Sequence, residues 1–248
     1  MQAGLSCNWR QVIVPQSTAS WYGHRLIRLL PFIANCSMTV KIMRKPQSVG
    51  TLEKLGRVRL SKSFYMREFL YSEIANFYGV QNIPDDPDLA IEVGKRLCEE
   101  LLEPLNATFG RVAIRSSFRS CSVNQLGIDK HNCAKNESNF AGHIWDRRDS
   151  EGLSGATACI AIPWFTDRYE DGADWRSLAY WIHDHLPYSR MEFFDGSGMC
   201  TFNLSWHEKP EKTITSWMAP RVLLKNAHDE KGFEEWYKDF PPLPPRPC

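Results

Sequence analysis

The sequence predicts an α+β fold, with N-terminal helices packed on a mainly antiparallel sheet. Three observations carry this reading. Two apolar stripes recur at helical spacing between residues 66 and 105, the pattern switches to period two from residue 111, and one later helical stripe sits among strand-like segments. Met66, Leu70, Ile74 and Phe77 form one helical face, with Ser63 as N-cap and Gly79 as stop. The turn-rich Asn82-Ile-Pro-Asp-Asp-Pro-Asp88 leads to a second helix striped by Leu89, Val93, Leu97, Leu101 and Leu105, which Pro104 ends or kinks. Arg111–Ser116, Gly142–Asp146 and Thr157–Pro163 then read as strands. A helix from Asp174 to His185 turns Leu178, Trp181, Ile182 and His185 inward. Arg190–Phe194, Cys200–Trp206 and Thr213–Trp217 return to strand character.

A chain of 248 residues, 43% hydrophobic and 24% charged, is ample for one ordinary core and marginal for two. Its formal charge of +1 hides an asymmetry. Residues 1–57 hold eight basic side chains and one acid, Glu53, which leaves the remainder with 22 basic and 28 acidic residues and a net of −6. The expected organisation is a basic, poorly ordered extension over 1–57, a folded domain over 58–230, and a short helix with a proline-rich tail over 231–248. A basic membrane-surface segment is the alternative for the head. Its run Leu26–Met43 is interrupted by Arg28, Pro31, Asn35 and Lys41, so no transmembrane segment is expected. No clean signal peptide is present, which points to a cytoplasmic or phage-encoded protein rather than a secreted one. The acidic body argues against nucleic acid. The eight cysteines are scattered, form no CxxC pair and read mostly as reduced thiols.

The block that carries chemistry runs from Ile114 to Asp146. It contains Ser116-Ser-Phe-Arg-Ser120 with Asn124 close behind, then Asn139-Phe-Ala-Gly-His-Ile-Trp-Asp146, and far downstream Phe202-Asn-Leu-Ser205. In these elements and their order, over roughly residues 58–220, the chain resembles the zinc D-alanyl-D-alanine carboxypeptidase and endolysin peptidase family, whose fold is shared with the Hedgehog signalling domain. The resemblance implies a Hedgehog/DD-peptidase-like fold, Zn²⁺ as cofactor, and peptidoglycan stem peptides or a related peptide as substrate. It places metal ligands at 139, 146 and 203, a general base at 200 and an active-site arginine at Arg119, and the candidate substrate contacts are Ser117, Asn124, Asn139 and Asn203.

The departures from that pattern are chemical. Positions 139 and 203 carry Asn where the family has His, and position 200 carries Cys where the base is expected. A neutral amide oxygen replaces imidazole poorly for Zn²⁺. Only Asp146 remains of the three ligands, so a metal site would have to be rebuilt with His143 or His207 and a loop ligand such as His131 or Cys133. The ordinary alternative for each lone histidine is a hydrogen-bonded structural side chain. Arg119 reads either as an oxyanion stabiliser or as a buried partner for a carboxylate such as Asp146. Asn124, Asn139 and Asn203 together would make an amide-lined pocket. Two functions follow: a peptidase-like hydrolase with an altered metal site, or a non-catalytic peptide- or glycan-binding pseudo-peptidase. A metal-free amide hydrolase using Cys200 is the third reading. Most tryptophans read as core, with those at a cleft rim able to stack on a glycan. The tail carries Pro-x-x-Pro-x-Arg over 241–246, read as solvated and extended or as a polyproline docking segment.

Overall fold

The computed structural model describes residues 43–131, 133–194 and 199–245. The expectations for the head up to residue 42, and for Arg246 of the tail, lie outside the described residues.

Helix α1 (Val49–Gly56) opens with a reciprocal cap, in which the Ser48 side chain accepts the Thr51 N–H and the Thr51 hydroxyl accepts the Ser48 N–H. Its Leu55 is fully buried in the main core, so the folded body begins ahead of the expected boundary at residue 58. The single helix expected from Met66 is two short ones, α2 (Met66–Phe69) and α3 (Glu73–Tyr78). Ser72 restarts the helix by accepting the Ala75 N–H, and Gly79, at φ 66°, stops it where expected. The break splits the apolar stripe: Met66 is buried and Phe77 is 83% exposed. Ser63 caps nothing and instead bonds Glu103.

Helices α4 (Pro87–Leu97) and α5 (Glu103–Phe109) form one rod joined by a π-helical turn, Cys98–Leu102. Pro104 has no N–H to give and would break an ordinary helix. Here the Glu103 N–H reaches back five residues to the Cys98 carbonyl, and the wider turn accommodates the proline without ending the rod.

Six strands follow: β1 (Ala113–Ser116), β2 (Gly155–Ala161), β3 (Arg190–Phe193), β4 (Phe202–His207), β5 (Thr213–Ser216) and β6 (Val222–Leu224). They make one sheet in the order β1-β2-β4-β3-β5-β6, antiparallel throughout except for the parallel β3–β5 pair. The mixed α+β architecture with a mainly antiparallel sheet is therefore as the period-two pattern indicates. Between β1 and β2 lie helix α6 (Cys121–His131) and the single turn α7 (Asn136–Asn139), so His131, expected in a loop, ends a helix. The expected strand Gly142–Asp146 is a pair of turns. The Asn139 carbonyl accepts the N–H groups of both Gly142 and Ile144, and Ala141 sits at φ 53°, which coils the chain too tightly for a strand.

Pro163 ends β2 and opens helix α8 (Pro163–Glu170), and Asp174 caps α9 (Trp175–His185) through the Arg176 N–H. One sheet face, with Ala158, Ile160, Met191, Phe193, Phe202, Leu204 and Ile214, is fully buried. Rods α4–α5 and α9 cover it: α4 lies against β2 and β4, and Trp175 of α9 meets Phe193 with ring centroids 4.9 Å apart. Each large side chain buried there contributes about 2 kcal/mol. The segment leading into the proline run is pinned, and within the run Leu243 packs partly buried against the core. Asp184 accepts the Phe233 N–H and the Tyr237 hydroxyl, and Phe240 packs among Phe109, Trp164 and Phe165. Among the described residues no helix is long and apolar enough to cross a membrane.

Candidate functional site

The sheet face away from the core carries polar side chains in register. Ser116, Cys159, Asn203, Glu192 and Thr215 follow one another straight across β1, β2, β4, β3 and β5. Two residues along the strands, Thr157, Ser205, Arg190 and Thr213 form a second row. Neighbouring strands stand about 4.8 Å apart, so each row is a continuous line of side chains. Thr157 and Ser205 share a hydrogen bond of 2.8 Å. Glu192 accepts from Asn203 Nδ2 at 3.2 Å on one oxygen and from Trp217 Nε1 at 3.0 Å on the other. The chain from Ala134 to His143 roofs these rows and encloses a cleft of about 410 Å³.

His143 enters this cleft in a defined tautomer. Its Nδ1 meets the Ser117 carbonyl at 2.8 Å, and a carbonyl only accepts, so the proton is on Nδ1 and the Nε2 lone pair faces the Asn203 amide. Burial first, and the nearby Arg119 guanidinium second, push its pKa down to about 3, so the ring is neutral at physiological pH. Asn139 lines the cleft with both ends of its amide engaged by the protein: its Nδ2 donates to Asn124 Oδ1 at 2.8 Å and its Oδ1 accepts the His143 N–H. Asn124 continues the chain to Asn136 and the Ala134 carbonyl, and it is fully buried. This amide relay clasps the roof to α6. Asn124 thus spends its amide within the fold, and Ser117 likewise is buried with its hydroxyl on the Thr157 carbonyl.

The residues expected to hold metal do not share a centre. Asp146 lies behind the roof at the start of α4, where its Oδ2 accepts the Asp85 N–H at 2.6 Å and Arg147 stands 4.0 Å away. Its Oδ1 has no partner, and burial pushes its pKa up. Trp145 fixes this placement: its ring is fully buried against Phe69 and Phe118, and its Nε1 donates to the Thr157 carbonyl. A Cβ on Gly94 of α4 would stand 2.9 Å from that ring, so glycine is what allows the approach. His207 lies further along β4, with Nδ1 accepting the Lys209 N–H and Nε2 donating to Asp149 at 3.2 Å. Among the described residues no three His, Cys, Asp or Glu side chains come together as a metal site. With amides in place of two imidazoles, Asn203 turned to Glu192 and Asp146 elsewhere, the donor set does not fit Zn²⁺.

Cys200 is a core residue. It precedes β4 in a backbone turn at φ 47°, is buried, and has its thiol pushed up to about 12 by desolvation, which disfavours the thiolate that a base or nucleophile needs. Arg119 is half-buried beside His143, donates its N–H to the His143 carbonyl at 2.8 Å and points Nη1 at the Cys133 sulfur at 3.2 Å. It makes no ion pair with Asp146, contrary to the structural alternative. The cleft thus unites Asn139, His143 and Asn203. It adds Glu192, Arg190, Thr157, Ser205 and Thr215, which sequence reasoning missed. Their signal was present in the alternation of Arg190-Met-Glu-Phe193, Phe202-Asn-Leu-Ser205 and Thr213-Ile-Thr-Ser216, where every second residue is polar.

Comparison with protein-family models, with curated proteins and with solved structures returns no match.

Proposed function

We propose that the chain is a peptidase-like protein on the Hedgehog/DD-peptidase type of fold whose cleft binds a peptide or glycan of the peptidoglycan kind without metal-assisted hydrolysis. The observation that carries this reading is the use made of the expected ligand positions. Asn139 holds the roof and Asn203 holds Glu192, while the base position, Cys200, is sealed in the core. The order of helices, strand, late helix and strands, and the meeting of the Ser117 segment with Asn203 around His143, support the family resemblance. Hydrolysis is the second reading, favoured by one feature: the Arg119 cation, an oxyanion stabiliser in the resembled family, stands beside a neutral His143 whose Nε2 is held by the Asn203 amide.

Elemental analysis of the purified chain with calorimetric titration of peptidoglycan fragments separates the two. The binding reading expects no stoichiometric zinc, a melting temperature unmoved by chelator, and saturable binding without release of D-alanine. One zinc per chain together with peptide cleavage overturns it.

A further inference from the structure

We infer that one end of the cleft is a pyranose subsite with Trp217 as its stacking platform, and that the cleft accordingly takes a neutral glycan chain rather than a peptide; this rests on the binding reading above. Pairing of β5 with β3 continues past Ser216, because the Trp217 N–H donates to the Phe193 carbonyl at 2.9 Å. Alternation then puts Trp217 on the same face as Thr213 and Thr215, beside Phe194 with centroids 6.0 Å apart. The indole is 56% exposed, yet it is not loose: its only polar atom is bonded to Glu192 at 3.0 Å. That bond fixes the indole beside Glu192, a lining residue of the cleft whose neighbours there are Asn203 and Thr215, and more than half of the side chain stays open to solvent.

These groups match a sugar. The C–H face of a pyranose carries slight positive charge and complements the negative face of an aromatic ring. Its peripheral hydroxyls both donate and accept, so carboxylate, amide and hydroxyl groups along one edge satisfy them. Charge points the same way. Around the cleft Arg190 pairs with Glu211 and Lys209 with Glu151, and Glu192 is met by two N–H donors, so these charges have partners within the protein and do not call for a charged ligand. A peptide lacks its usual partner here. Extended peptides add to a free sheet edge through backbone bonds, whereas the floor of this cleft is a sheet face in mid-ladder, whose backbone groups are already paired across β2, β4, β3 and β5.

The test titrates the full chain with the N-acetylglucosamine hexasaccharide and, separately, with a sugar-free peptidoglycan stem peptide. The hexasaccharide is expected to bind, Trp217→Ala to weaken it roughly tenfold or more as for a central aromatic contact, and Trp217→Phe to retain most of the affinity. Glu192→Gln, which keeps an acceptor but loses the charge, is expected to weaken it by less than Trp217→Ala. Unchanged melting temperatures keep these readings free of folding effects. Hexasaccharide affinity indifferent to Trp217→Ala overturns the subsite. Binding of the stem peptide but not the sugar overturns the glycan assignment and leaves the binding reading standing, whereas zinc-dependent cleavage of the peptide removes both.

Discussion

The turns Asn139–Asp146 and the strand rows of β3, β4 and β5 are both rich in polar side chains but employ them differently. In the turns the polar groups serve the protein. Asn139 bridges Asn124 and the His143 N–H, His143 holds the Ser117 carbonyl, and Asp146 receives the Asp85 N–H. A turn leaves backbone groups without ladder partners, and nearby side chains must supply them. In the rows the backbone is already paired, so side chains stand clear with polar atoms to share, as Glu192 and Asn203 do. The polar turn that looked like a site by its motif is scaffolding, and the plain alternating strands form the floor of the cleft.

The largest expected effect tests whether the turns are scaffolding. Trp145 is their anchor, fully buried between α4 and β2. Trp145→Ala is expected to cost about 3–5 kcal/mol in chemical denaturation, as for other large aromatic truncations. A loss below about 1 kcal/mol, within the range of ordinary surface changes, breaks the comparison, because the roof of the cleft would then be held by something else.

Asp146 comes next, and its two variants part company. Asp146→Ala leaves the part-buried Asp85 N–H without its acceptor, at a cost of about 1 kcal/mol. Asp146→Asn keeps an acceptor and removes a charge whose burial is unfavourable, so neutral pH should show no loss or a gain in stability. The sign follows from linkage. The folded pKa is raised, so the folded state binds the proton more tightly, and the wild type loses stability as pH rises from the ordinary carboxylate value to the raised one. The advantage of Asp146→Asn should therefore grow across that window and disappear below it, read as melting temperature against pH. A metal ligand would behave oppositely, with the Asn variant losing both zinc and stability.

Much of the fold was legible because long elements average over many residues. The stripe Leu89 to Leu105 and the cap at Asp174 needed no tertiary information, and the strands around Arg190, Asn203 and Thr213 were visible as alternation. Short elements were not. Ser72 restarting a helix four residues after Glu68, or Ala141 adopting a left-handed turn, depends on one or two hydrogen bonds that composition does not reveal. The site was legible only in part for a further reason. Motif spacing places Asn139 and Asn203 by number along the chain, and those two do meet across the cleft. Glu192 and Thr215 join them through strand register, which β3 and β5 acquire only on pairing, and the parallel β3–β5 contact is a non-local choice that no local pattern encodes.

A third test turns to the rows. Glu192 is half-buried and its two bonds are to side chains, so Glu192→Gln should leave stability within about 0.5 kcal/mol, the range of ordinary surface substitutions. Ligand affinity should fall all the same. A change in stability as large as that of Trp145→Ala would mean that the rows, like the turns, are scaffolding.

The smallest effect is the one a conventional site histidine would make large. A solvated histidine charges near pH 6.5 and alters binding between pH 5 and 8. His143 belongs by sequence to the turns and by its Nε2 to the rows, and burial together with Arg119 holds its pKa at about 3. Its ring signals should therefore stay those of the neutral Nδ1–H tautomer in NMR spectra across pH 5 to 8, and ligand affinity should be flat over that range as far as this residue is concerned. Stability should still respond. Below about pH 6.5 the unfolded chain takes up the proton that the folded ring refuses, so the contribution of His143 to stability declines as pH falls from there toward 3. His143→Gln should flatten that acid slope without creating one at neutral pH. A ring that titrates near 6.5 in the folded protein would place His143 among solvated groups, and would dissolve the distinction between a turn that serves the fold and a strand face whose side chains stand clear in the cleft.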